Sequence, residues 1–357
     1  MSGGENTRNG ARNLLIECAE LTPGQRLLIL REDPAFGWYD RKTPLAVAAE
    51  AEALGVTPTL LDVGAPGNEP DPKVEEAIAS HDVIVFFARI GDQDRFAEPP
   101  PGKTLVMSYA RTLEQLASPF GTTRNRAFLA VKDAVNGILL DAKRVEIHCP
   151  LGTALSGKLT EHRKEPRDVS VRRFPVCVPQ PLEATGLSGR VALAHYLTPT
   201  GSRVYDPPHL EIKRPVFAQI ESGRIVGFAG DQDQIARIRT HHDGVAARFG
   251  IDGDVVHSWH AGIHPGCTSP APAAENPDRW SNSIFGNPRF LHFHTCGAYA
   301  PGEICWMVLD PTVHLDCETL WERGRLRPEN FPATRHCLED WPELRPLFDA
   351  PSQEIGL

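Results

Sequence analysis

The chain has 357 residues, 41% of them hydrophobic and 23% charged, the balance of a globular protein long enough for two domains with separate cores. A formal net charge of −9 with no basic run excludes a general binder of the nucleic-acid backbone, whose affinity rests on clustered lysine and arginine. The polar start "MSGGENTRNGARN" lacks the apolar core of a signal peptide and no stretch reaches the roughly 18 apolar residues of a membrane span, so a cytoplasmic protein without membrane contact is expected.

Residues 1–130 alternate helical and strand-like segments. "TRNGARNLLIECAEL" carries Ala11, Leu14, Leu15, Cys18 and Leu21 at helical spacing behind Thr7 as a cap, and "RLLIL" follows as a buried strand. "TPLAVAAEAEALG" offers Thr43 as cap, Pro44 at the first helical position and Gly55 as stop, before the strand "PTLLDV". "DPKVEEAIASH" then leads into "DVIVFFARI", and "KTLVMSY" into the helical "RTLEQLAS". This alternation predicts an α/β domain with a parallel, doubly wound sheet. The turn after the first strand, "REDPAFG", has no GxGxxG, so no nicotinamide site is assigned.

"RAFLAVKDAVNGILLDAK" reads as a connecting helix, and residues 131–357 have a different texture. Strand-like runs between Gly and Pro dominate: "RVEIHC", "VSVRRFPVCV", "GRVALAHYL", "RPVFAQI" turning at "ESG" into "RIVGFAG", "DVVHSW", "RFLHFHTC" and "ICWMVLDPTVHLDC". One helix, "DQDQIARIRTHHDGVAARFG", interrupts them. The pattern predicts an α+β domain of mostly antiparallel strands. Residues 269–288, rich in proline and without periodicity, read as a lid or subunit contact, and the end of the chain as an extended tail wrapping the body. The eight cysteines (18, 149, 177, 267, 296, 305, 317 and 337) include no CxxC pair, which points to reduced, packed thiols.

Chemistry concentrates in the second half. In "VHLDC", His314 and Asp316 share one strand face, two thirds of a 2-His-1-carboxylate metal site, although a polar surface strand would show the same pattern. "FLHFHTC" places His292 and His294 on one face of an otherwise apolar strand, where buried imidazoles need partners or a ligand. "HSWHAGIHPGC" adds His257, His260 and His264; Gly262, Pro265 and Gly266 favour a strand running into a tight loop over a solvated helical stripe. Asp92, in "GDQDR", follows a parallel strand at its carboxyl end, where open α/β sheets put ligand contacts, and a solvated acidic loop is the simpler alternative. Glu161 and His162 in "LTEHRKEP" read either as a base with its neighbour or as a charged turn. GxSxG, HExxH and GxxxxGK[ST] are absent.

The opening "ARNLLIECAELTPGQRLLIL", the mixed second domain, and "HAGIHPG" followed about fifty residues later by "HLD" resemble the aminopeptidase T family of metallopeptidases. In pattern they are closer to its mononuclear relatives, the 2,5-dihydroxypyridine 5,6-dioxygenases. That resemblance implies a metal triad of His260, His314 and Asp316 holding Fe(2+), with Zn(2+) or Mn(2+) as alternatives. Phe174 stands where the peptidases carry a further glutamate, which implies one metal rather than two. His292 or His294 would be a fourth ligand or an acid–base group, while Asp92, Glu161 or His162 would manage protons of the ring substituents. Gly91 and Asp92 replace the dioxygenase's proton-shuttling histidine. The implied activity is O2-dependent opening of a small hydroxylated aromatic or N-heteroaromatic ring in a catabolic pathway, by a homo-oligomer. A single-metal hydrolase of an amide or C–N bond, with Glu161 as base, is the alternative enzyme, and a non-catalytic binding module the third class.

Overall fold

The computed structural model describes residues 3–67, 69–93, 95, 97–159, 169–199 and 205–357. The chain forms two compact units, Met1–Leu129 with Asp168–Cys177, and Ala130–Arg167 with Val178–Leu357. No helix among the described residues is long and apolar enough to cross a membrane.

In the first unit, α1 (Gly3–Arg12), β1 (Leu27–Glu32), α2 (Lys42–Ala53), β2 (Thr59–Val63), α3 (Pro72–Ser80), β3 (Val83–Phe87) and β4 (Thr104–Ser108) alternate, followed by short α4 (Leu113–Ala117) and α5 (Pro119–Thr122). Helix α6 (Asn125–Asp141) then leads into the second unit and its strands β5 (Arg144–His148) and β6 (Ala154–Lys158), after which the chain returns for β7 (Arg172–Phe174). The first sheet runs β2-β1-β3-β4-β7 with every pair parallel. Central β3, "VIVFF", is buried along its whole length, as a strand inside a parallel sheet is when helices cover both faces.

Local details differ from the sequence reading. Helix α1 begins before Thr7, whose hydroxyl donates to Gly3 O at 2.9 Å inside the helix. Thr43 lies within α2; Asp40 Oδ1 is the acceptor there, taking both the Thr43 amide and hydroxyl at 2.7 Å. "VSVRRFPVCV" does not join the second unit: β7 pairs with β4 (Val106↔Arg172, Ser108↔Phe174) and buries Phe174 completely, so the first unit is built from two separate stretches of chain.

The second unit continues with β8 (Leu182–Glu183), β9 (Leu187–Pro199), β10 (Leu210–Glu221), β11 (Arg224–Ala229), α7 (Gln232–Phe249), β12 (Val256–Ala261), α8 (Pro277–Ile284), β13 (Phe290–Cys296), β14 (Glu303–Leu309), β15 (Thr312–Leu315), β16 (Glu318–Glu322), β17 (Arg325–Leu326), α9 (Pro332–Asp340) and α10 (Arg345–Asp349). Its twelve-stranded antiparallel sheet runs β17-β16-β15-β5-β6-β9-β14-β13-β12-β8, with β10 also paired to β9 and carrying β11.

Two-residue alternation sends the side chains of β12, β13 and β14 to opposite faces. On one face Trp259, Phe293 and Trp306 are fully buried, and the Trp306 indole donates to His242 Nε2 of α7 at 3.0 Å. On the other, Phe290, Cys305 and Met307 pack with Trp280 and Ile284 of α8. The proline-rich stretch is therefore part of the core, not a free lid. Trp280 Nε1 donates to Ile355 O, and Ser269 N to Glu354 O at 3.1 Å, so the terminal tail straps this stretch in place.

Candidate metal centre

Strand pairing assembles the cluster. Residue His260 on β12 stands directly opposite His292 on β13, and Ser258 opposite His294. Opposed residues in an antiparallel pair bring their side chains within contact range, so a histidine on each strand suffices to make a pair and the i+2 histidine adds a third. A register irregularity at His257 lets that residue drop out of the pattern, and its Nε2 lies 2.9 Å from Cys296 O. His264, fully buried in the loop beyond β12, has its Nδ1 3.2 Å from the Gly266 amide that donates to it.

The end of β12 is pinned. Gly262 donates to Phe290 O at 3.0 Å, its carbonyl accepts from Trp321 Nε1 at 2.8 Å, and a Cβ there would stand 2.2 Å from Asn287 O. Only glycine permits this close approach.

Ring nitrogens of His260, His292 and His294 lie within 4.8 Å of one another, and among the described residues this is the group suited to holding a metal ion. The Nε2 atoms of His260 and His292 are 2.7 Å apart. Outer-nitrogen partners set the tautomers. His260 Nδ1 lies 3.1 Å from Pro179 O, and a carbonyl only accepts, so the proton sits on Nδ1 and Nε2 keeps its lone pair. His294 Nδ1 lies 3.2 Å from Glu303 Oε1 and 3.0 Å from Ser258 Oγ; the carboxylate fixes the proton there in the same way, leaving Nε2 as the basic nitrogen. His260, His292 and Glu303 are buried, and His294 is the one of the three imidazoles with partial exposure. A cation fits this donor set. The imidazoles converge, at least two have their basic nitrogen chosen by an acceptor behind the ring, and one such acceptor is a buried carboxylate.

The expected triad of His260, His314 and Asp316 is not assembled. His314 is on β15, separated in the sheet from β12 by β5, β6, β9, β14 and β13. Its Nδ1 is 2.8 Å from Thr319 Oγ1 and its ring faces His148. Asp316 is exposed, sits at φ 54°, and accepts the backbone amides of Arg144 at 2.9 Å and Lys143 at 3.1 Å. The aspartate ties the β15–β16 turn to the start of β5.

Asp92 is in the first unit, at the carboxyl end of β3 as its position in the chain implies; it is buried and accepts from Tyr109 OH at 2.9 Å. Phe174 also belongs to the first unit. Glu161 and His162 lie outside the described residues. Glu303 was not singled out from the sequence. The signal for it was a lone acid opening the apolar run "EICWMVL", on the same face as Cys305 and Met307.

No family model and no curated protein sequence matches the chain. Among solved structures it is similar to a 2,5-dihydroxypyridine dioxygenase from Pseudomonas putida KT2440, with a TM-score of 0.59 and 13% identity over 92% of this chain and 98% of that one. It is also similar to wild-type AmpT from Thermus thermophilus, with a TM-score of 0.52 and 11% identity over 91% of this chain and 100% of that one. The chain shares the fold of both proteins, in line with the resemblance read from its sequence.

Proposed function

We propose that the protein is a mononuclear metal-dependent enzyme whose ion is held by His260, His292 and His294. With Fe(2+), it opens a hydroxylated aromatic or N-heteroaromatic ring using O2. The observation that carries this reading is the convergence of three imidazoles in one buried spot, two of them oriented by outer acceptors. The likeness in fold to a dihydroxypyridine dioxygenase supports the choice of reaction. A bound ion with positions left open supplies either redox chemistry toward O2 or polarisation of a bound water.

The chain's own residues define the surroundings. Glu303 and Ser258 hold the His294 ring, and Pro179 holds that of His260. Phe290, Met307 and Cys305, with Trp280 behind them, give an apolar wall that excludes water and suits a flat ring. Burial pushes the Cys305 thiol far above its ordinary range, so it packs as a neutral group.

The all-histidine donor set favours a second reading, because three neutral imidazoles also hold catalytic zinc. In that case Zn(2+) or Mn(2+) would serve hydrolysis of an amide or C–N bond. Metal-free protein reconstituted anaerobically with Fe(2+) tests the choice. O2 uptake with hydroxypyridines or hydroquinone-like acids supports the dioxygenase, and amide cleavage by the Zn(2+) form without O2 uptake supports the hydrolase. Absence of turnover by every metal-loaded form would overturn both.

A further inference from the structure

We infer that a cleft beside α7, whose lining includes none of the three clustered histidines although its Tyr205 hydroxyl donates to Glu303 O at 3.2 Å, binds an amphipathic monocarboxylate. The cleft encloses about 370 Å³, within the range of small-molecule sites, and is formed by one face of α7 and the segment around Tyr205 and Leu210. Tyr205, Leu210 and Val245 give it an apolar lining, while Arg237, His241 and Arg248 bring the polar groups. Arg237 and His241 are four residues apart on the helix and therefore share a face. Asp206 is the one acidic side chain in the lining against two arginines, a local positive excess on a chain of net charge −9.

His241 makes the cleft more than a hollow. It retains 7% of its exposure, its ring stands edge-on to Tyr205 at 5.6 Å, and its Nε2 is buried without a hydrogen-bond partner. An unsatisfied buried polar group costs free energy, and the adjacent histidine shows the contrast. Both nitrogens of His242 are engaged, Nδ1 at 3.0 Å from Gly253 O and Nε2 accepting from Trp306. Burial, with the neighbouring His242 and His209 charges, lowers His241 to about 4, so its imidazole is neutral near pH 7. A carboxylate seated by the Arg237 guanidinium accepts a hydrogen bond from Nε2–H when the His241 ring turns this buried nitrogen toward the cleft, and its apolar body takes the Tyr205, Leu210 and Val245 wall.

Calorimetric and NMR titration of the full chain with 3-phenylpropionate, its primary amide serving as the uncharged control, tests the inference. One saturable site per chain is expected, with the His241 ring signals shifting and the amide binding at least tenfold more weakly. Arg237→Gln, at an exposed position, and His241→Phe should each weaken the carboxylate about tenfold or more, and His260→Ala should leave it unchanged. Equal affinity for acid and amide, binding insensitive to Arg237→Gln, loss of binding in His260→Ala, or no saturation at millimolar concentration would each overturn it.

Discussion

His260 and His292 face each other across the β12–β13 ladder with their Nε2 atoms 2.7 Å apart, a spacing that requires one nitrogen to donate to the other or both to turn to a shared cation. Pro179 O already fixes the His260 proton on Nδ1. His294, on the same strand face as His292, brings a third imidazole within 4.8 Å, so the group could hold a metal ion.

Replacing His292 or His294 by Ala should abolish stoichiometric metal binding, while His314→Ala should retain it. Elemental analysis of the purified variants checks this. Metal lost from His314→Ala with a folded chain would restore the 2-His-1-carboxylate set.

Glu303→Gln keeps the shape of the side chain but weakens the acceptor behind His294. Metal affinity should fall roughly 10- to 100-fold, the usual effect of removing such an outer partner, with thermal stability little changed. Competition with a coloured chelator measures the affinity, and an unchanged value would remove Glu303 from the site.

Asp316→Ala should cost about 1 kcal/mol through loss of its two backbone acceptor bonds and leave metal content intact. Denaturant unfolding with parallel metal analysis separates the two effects. Full stability together with lost metal would contradict the anchoring role.

Gly262→Ala sets a Cβ against Asn287 O and should destabilise the protein by roughly 2–3 kcal/mol. Because Gly262 closes β12 just beyond His260, metal affinity should fall as well. A variant as stable as the parent in unfolding experiments would show that the close approach relaxes freely.

Acid should weaken the fold through His241. Its pKa in the folded chain, lowered to about 4 by burial, lies below the ordinary value near 6.5, so between these limits the unfolded chain binds more protons. The stabilising contribution is complete above about pH 6.5 and is lost as pH falls toward 4, on the order of 2–3 kcal/mol. His241→Phe should lose less stability than the parent between pH 7 and 4.5 in urea titrations. Identical losses would show that His241 does not carry the effect.

Much of the second half was legible because periodicity is local. The alternation in "FLHFHTC" put His292 and His294 on one face, and the glycines after His260 marked a strand entering a loop, as found. Strand pairing was not legible. "HLD" has the same i, i+2 geometry as "HFH", and only the sheet order decides that β13 meets β12 while β15 meets β5. The two-part first unit was hidden for a related reason, since β7 joins β4 from far along the chain. Glu303 was masked by the apolar strand it opens, and its role follows from the cross-strand approach to His294.

X-ray absorption spectroscopy of the protein loaded with one equivalent of Fe(2+) or Zn(2+) bears most directly on the metal centre. Three imidazole ligands are expected, falling to two in His292→Ala. A shell of two imidazoles and one carboxylate that His292→Ala leaves unaltered would contradict it.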